Sequence, residues 1–120
     1  MVQRGTALVA HVDGKPQEIV GFAVAGAWHS YEGYARTVED SIYLSPAVQG
    51  HGLGSRLLAA LIETSRAAGD RTMIALIEAG NMASVHLHER YGFDIVGTVP
   101  QAGEKLGQLL DLTIMNRSLH

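Results

Sequence analysis

Glycines alternate through Gln49-Gly50-His51-Gly52-Leu53-Gly54-Ser55, between a short strand-like stretch (residues 40–44) and a long stretch of helical period. Glycine lets the backbone take φ > 0 and come close to a ligand. The helix that follows turns its unpaired N–H groups and the positive end of its dipole toward the loop. A strand, a glycine-spaced turn and a helix start in this order form a corner suited to phosphate. The order also fixes local structure, because a strand has to end near Leu44 and a helix has to begin near Leu53.

Several glycine motifs share this physics. A P-loop closes on Gly-Lys-Ser/Thr, and no lysine follows Gly54, so the contacts to a γ-phosphate and its Mg²⁺ are missing. A dinucleotide fingerprint needs a third glycine where Ser55 stands, and it belongs at the first strand of its unit. The plain alternative is a glycine-rich turn without a ligand.

Along the chain, residues 6–12 and 18–28 are apolar runs joined through Asp13-Gly14, a hairpin signal. Residues 29–36 read as a loop and 37–44 as a strand. Its period of two puts Glu39, Ser41 and Tyr43 on one face and Asp40, Ile42 and Leu44 on the other. Leu53, Leu57, Leu58, Leu61 and Ile62 then form the core stripe of a helix that Gly69 stops. Residues 72–77 are almost continuously apolar, the pattern of a strand covered on both faces, and strand, helix and strand together predict a parallel crossover. Asn81 caps a short helix running to about Arg90, with Ser84, His88 and Tyr91 on one side. Residues 93–99 and 109–116 read as a closing strand pair around a loop that holds Gly103 and Gly107.

Composition narrows function by exclusion. A chain of 120 residues with 47% hydrophobic and 18% charged residues makes one globular domain, taken as residues 1–120. A net charge of −3 offers no basic footprint, so nucleic acid is not an expected partner. No apolar run reaches membrane-spanning length and the first residues lack a signal-peptide core, so a cytoplasmic location is expected. With no cysteine, disulfides, thiolate metal sites and a cysteine thioester are excluded. His86 and His88 are two apart and the other histidines are scattered, so no metal is expected.

Three stretches carry a resemblance: Thr37-Val38-Glu39-Asp40-Ser41-Ile42-Tyr43-Leu44-Ser45-Pro46, the Gln49 to Gly54 loop, and Asn81-Met82-Ala83-Ser84-Val85-His86-Leu87-His88-Glu89-Arg90-Tyr91-Gly92-Phe93. Together they resemble the GNAT superfamily of acetyl-CoA-dependent N-acetyltransferases, and within it the phosphinothricin/methionine sulfoximine acetyltransferase branch. The resemblance runs from about Ala7 nearly to the end of the chain. It implies an α/β fold, a mixed and mostly antiparallel central sheet flanked by helices, with an acetyl-CoA-binding core at about residues 37–93. A complete member has a strand and two further helices before the region matched by Thr6, so the chain reads as N-terminally truncated.

By the same resemblance, the pyrophosphate of acetyl-CoA lies on the backbone of Gly50, His51, Gly52, Leu53, Gly54 and Ser55, next to Gln49. The pantetheine pairs like a strand with Ile42, Tyr43 and Leu44, and Asn81 touches it from the other side. The acceptor, a small amino-acid-like primary amine, lies beside His29, Ser30 and Tyr31, with Glu39 and His88 reaching it. Relatives often carry arginine where His29 stands, which leaves the amine's identity open.

An alkyl ammonium must lose a proton before it attacks a thioester. A carboxylate base serves that need, and Glu39 matches the family's base. His88 stands where the family places the donor to the leaving thiolate, and the Leu44 or Ser45 N–H is expected to serve the oxyanion. Without cysteine, direct transfer in a ternary complex is the expected route. The alternative for Glu39 is a solvated sheet-face carboxylate, for His88 a satisfied core histidine, and for the chain a module that binds acyl-CoA without turnover. Apolar surface left by the absent elements leads to an expected homodimer.

Overall fold

Strand pairing in this protein is dictated by turns the sequence announces. The computed structural model describes residues 5–12, 14–29, 32–50 and 52–120. Gly14 turns the chain at φ +75, joining β1 (Gly5–Val12) to β2 (Lys15–Ala27) as an antiparallel hairpin. A single 3-10 turn at Glu32–Tyr34 leads into β3 (Thr37–Leu44), antiparallel to β2. Helix α1 (Leu53–Ala67) crosses over to β4 (Thr72–Glu78), which lies parallel to β3. Helix α2 (Met82–Arg90) and the hairpin of β5 (Asp94–Lys105) and β6 (Gln108–Ser118) complete the chain. Among the described residues the sheet order is β1-β2-β3-β4-β6-β5, and β3–β4 is its parallel pair.

One sheet face carries the core. Ala23, Ala25, Val38, Met73, Ala75 and Met115 pack there against Leu57, Leu58, Leu61 and Ile62 of α1 and Val85 of α2. The apolar period of α1 therefore finds its partners across β1, β2 and β3, while Arg56, Glu63 and Arg66 stay exposed. Burying a leucine of this stripe is worth about 1.5–3 kcal/mol, so the stripe is the main fastening of helix to sheet.

The opposite face differs from expectation. Met73, Ala75 and Ile77 of β4 are buried, but Leu76 is exposed and Ile74 is half-buried. This strand is covered on one face rather than two, since both helices lie on the same side. Phe22 and Tyr43 stack on the open side at 5.4 Å, with Val9 exposed nearby in register with Phe22. The closing loop also differs. Gly103 sits within β5, and the turn contracts to Leu106-Gly107, both at positive φ. Gln101, at φ +54, donates its N–H to Asp111 Oδ1 at 2.9 Å, which holds the irregular middle of β5 against β6.

Candidate active site

Strands β3 and β4 begin as neighbours and then part. Their pairing covers Thr37 to Asp40 against Thr72 to Ala75 and goes no further. Beyond that point a cleft of about 620 Å³ opens between Ser41, Ile42 and Leu44 on one wall and Leu76, Ile77 and Glu78 on the other. Antiparallel strands alternate their hydrogen-bonding residues, and two bonds fix the phase: Trp28 N–H to Thr37 O at 3.1 Å and Ser45 N–H to Val20 O at 2.8 Å. Odd-numbered residues of β3 therefore bond to β2. Ile42 and Leu44 present their peptide groups to the cleft, whereas those of Tyr43 face β2. This phase corrects two expectations. Tyr43 does not offer its backbone to an inserted chain, and the Ser45 N–H, already bonded to Val20, is not free for an oxyanion. The Leu44 carbonyl also accepts from Gln49 Nε2 at 3.3 Å.

The glycine loop closes one end of the cleft, which Gln49, Gly50 and Gly54 line. Gly50 and Gly52 sit at φ +82 and +77, and an added Cβ at either would meet nothing within 4 Å among the described residues. Gly52 is the N-cap of α1 and supplies no side-chain cap. The helix thus starts beside that space with the end whose backbone N–H groups lack intrahelical acceptors. Ser55 Oγ is itself bound to Tyr91 OH at 2.6 Å, tying the start of α1 to the end of α2. Asn81 lines the cleft and caps α2 by accepting from Ser84 N–H at 3.2 Å. An open glycine corner, a helix N-terminus without a side-chain cap and a strand edge that presents the Ile42 and Leu44 peptide groups fit a diphosphate joined to an extended amide chain, the chemistry of acetyl-CoA. Among the described residues no cluster of His, Cys, Asp and Glu is placed to hold a metal.

Glu39 and Asp40 are neighbours that point to opposite faces. Glu39 lines the cleft from the open side, half-buried, and burial together with the charge of Asp40 raises its pKa above 4.5. Asp40 points into the core, 7% exposed, and meets His88, 3% exposed. Its Oδ1 and Oδ2 lie 3.1 and 3.2 Å from His88 Nε2, while His88 Nδ1 is 2.8 Å from the Ser84 carbonyl. Phe93 meets the same ring edge to face at 4.8 Å. Burial alone would lower the pKa of His88, but the Asp40 hydrogen bond and charge, with the Ser84 carbonyl, more than offset it and raise it above 6.5.

Glu39, Ile42, Leu44, Gln49, Gly50, Gly54, Asn81 and His88 therefore gather on one cleft. His29 lies outside that lining, exposed and against the Tyr34 ring at 5.5 Å. Ser30, Tyr31 and His51 fall outside the described residues. Asp40 is the site residue that motif spacing does not single out, because it pairs with a residue 48 positions away. The available signal is that Asp40 and His88 are each ionisable residues at core-facing positions, and buried polar groups need partners.

A sequence profile described as "Acetyltransferase (GNAT) family" matches residues 2–93. The L-methionine sulfoximine/L-methionine sulfone acetyltransferase of Pseudomonas aeruginosa (strain PAO1) is 50% identical over 102 residues, which cover 85% of this chain and 59% of that protein. The phosphinothricin N-acetyltransferase of Streptomyces coelicolor is 36% identical over 107 residues, covering 89% of this chain and 63% of that one. Among solved structures, yncA of Salmonella typhimurium, solved with its cofactor acetyl-CoA, superposes with a TM-score of 0.90 at 43% identity, over 95% of this chain and 64% of that chain. The chain thus spans roughly three fifths of the length of these proteins.

Proposed function

Because this chain belongs to the acetyltransferase (GNAT) family, we propose that it moves the acetyl group of acetyl-CoA to the primary amine of a small amino-acid-like acceptor, by direct transfer in a ternary complex. The observation that carries this reading is the parting of β3 from β4 beside the glycine corner, with Glu39 on the cleft wall. Acetyl-CoA supplies the activated acetyl thioester. Ile42 and Leu44 hold its amide chain, and Gly50 to Ser55 hold its diphosphate. Glu39 takes the proton of the incoming ammonium, and its raised pKa brings it closer to the neutral range where a base works best. A proton delivered by His88 has to leave Nε2, the nitrogen that Asp40 holds.

Relatives named for methionine sulfoximine, methionine sulfone and phosphinothricin support acceptors of that size and charge. Residues 37–93 act as the acetyl-CoA core of one domain, in a cytoplasmic enzyme that assembles as a homodimer. The exposed apolar residues around Phe22 and Tyr43 support the assembly. No helix among the described residues is long and apolar enough to cross a membrane. The second reading, an acyl-CoA binder without turnover, draws on the same uncovered face, because Glu39 lies on it. CoA release with methionine sulfone, methionine sulfoximine and phosphinothricin, run beside calorimetry with acetyl-CoA, separates the two. Acetylated product supports transfer, binding without product supports the binder, and no binding removes both.

A further inference from the structure

The buried acid beside His88, 7% exposed, is not itself a base in the reaction proposed above. A carbonyl oxygen only accepts, so the 2.8 Å contact with Ser84 requires a proton on Nδ1. An ionised carboxylate also only accepts, so the paired contacts at 3.1 and 3.2 Å require a second proton on Nε2. With Asp40 ionised, both ring nitrogens are donors at once, and Phe93 packs edge to face against the ring at 4.8 Å. Removing one member of such a buried pair strands the charge of the other, which is strongly destabilising.

We propose that Asp40 is a positioning residue that keeps the His88 ring doubly protonated and fixed on the wall of the cleft, where the Nε2 proton is held in store. In the forward reaction the amine nitrogen bonds to the acetyl carbon, the thioester C–S bond breaks, and the departing CoA thiolate takes the Nε2 proton, after which the ring presents a lone pair to the Asp40 carboxylate. Reprotonation from solvent relieves that repulsion and resets the site. The same carboxylate stands next to Glu39 along β3, so one buried charge acts on both proton-handling groups, raising the affinity of each for its proton. The charged groups of the surrounding elements are few. Glu39 adjoins Asp40 on β3, and Glu78 at the end of β4 accepts from Gly80 N–H. Arg117 on β6 is bound to the Tyr91 and Ser118 carbonyls, and α1 turns Leu57, Leu58 and Leu61 inward. Asp40 is the acid in contact with the ring.

The role of Asp40 in turnover rests on the acetyl-transfer reading, whereas its hold on His88 can be tested without it. The six histidines are followed by the Hε1 and Cε1 NMR signals of ligand-free protein against pH, with His88→Gln identifying the His88 signal. The expected result is a His88 ring that stays protonated above pH 6.5 in the parent and loses its proton at lower pH in Asp40→Asn. A parent ring that titrates at or below 6.5 overturns the proposal without any variant having to fold, and so does an Asp40→Asn titration identical to the parent's. In turnover, Asp40→Asn should move the alkaline limb of kcat to lower pH and leave the KM for acetyl-CoA unchanged. The loss in kcat should stay within the roughly 10²–10⁴-fold that a proton-transfer group contributes. An unmoved alkaline limb overturns the role in turnover. A parent with the raised titration that acetylates no amine supports the hold on His88 and overturns the acetyl-transfer reading instead.

Discussion

Replacing Gly52 with valine separates what the glycine loop does for the backbone from what it does for space. Gly52 sits at φ +77 and ψ 6, the left-handed region, as N-cap of α1. An added Cβ meets no atom of the described residues within 4 Å, so the first side-chain carbon has room. The cost is in the backbone: an L-residue in this region loses about 1–2 kcal/mol, and a β-branched one stands at the upper end. If the free loop relaxes to escape that strain, binding has to restore it, and about 1–2 kcal/mol becomes roughly a 5- to 30-fold loss of acetyl-CoA affinity. Any valine methyl lying over the helical N–H groups adds to this. Gly54→Ala is the internal reference, because Gly54 is already helical and its added Cβ would touch Leu44 Cδ1 at 3.4 Å and Leu87 Cδ2 at 3.7 Å. Alanine there gains up to about 1 kcal/mol of helix propensity and should leave affinity close to the parent's. Calorimetry with acetyl-CoA, paired with thermal denaturation of each variant, reads both effects. A folded Gly52→Val protein that binds acetyl-CoA as tightly as the parent would refute the assignment of this loop to the diphosphate.

Glu39→Gln should cut turnover by roughly 10²–10⁴-fold while acetyl-CoA affinity holds, and the defect should shrink as pH rises and the amine deprotonates unaided; equal rates across the pH range would return Glu39 to the sheet as a plain surface carboxylate. The acid limb of kcat/KM in the parent should lie above pH 4.5, since burial and then Asp40 raise Glu39 and the base fails as pH falls through its value. His88 is raised in the fold, so its contribution to stability is complete below about pH 6.5 and is lost as pH climbs through the folded value. Urea midpoints at pH 6 and pH 9 should therefore drop more in the parent than in Asp40→Asn, and parallel midpoints would contradict this. Tyr91→Phe removes the 2.6 Å bond to Ser55 and should cost about 0.5–1.5 kcal/mol in urea unfolding, with no change meaning that water replaces the bond without loss.

Local rules carried most of the fold. The period of β3, the apolar stripe of α1, the Asn81 cap and the Asp13-Gly14 turn are each settled within a few residues, and the elements they predict lie where spacing puts them. The glycine loop was equally legible, because positive φ at Gly50 and Gly52 is a demand on the residue itself. Other features depend on what lies across the sheet. That residues 72–77 are covered on one face only follows from both helices packing on the same side, which a run of apolar residues does not encode. Gly103 joined a strand because β6 pairs with it. The gap between β3 and β4 is likewise invisible in either strand, since each is a regular strand to its end and only their divergence makes the cleft. The phase of β3 decided which peptide groups face that cleft, Ile42 and Leu44 rather than Tyr43, and phase belongs to a pair of strands. Asp40 and His88 show the same division: the sequence put Asp40 on the strand face of Ile42 and Leu44 and His88 on the helix side of Ser84 and Tyr91, and only the packing of α2 against β3 brought a buried carboxylate and an imidazole within 3.1 Å.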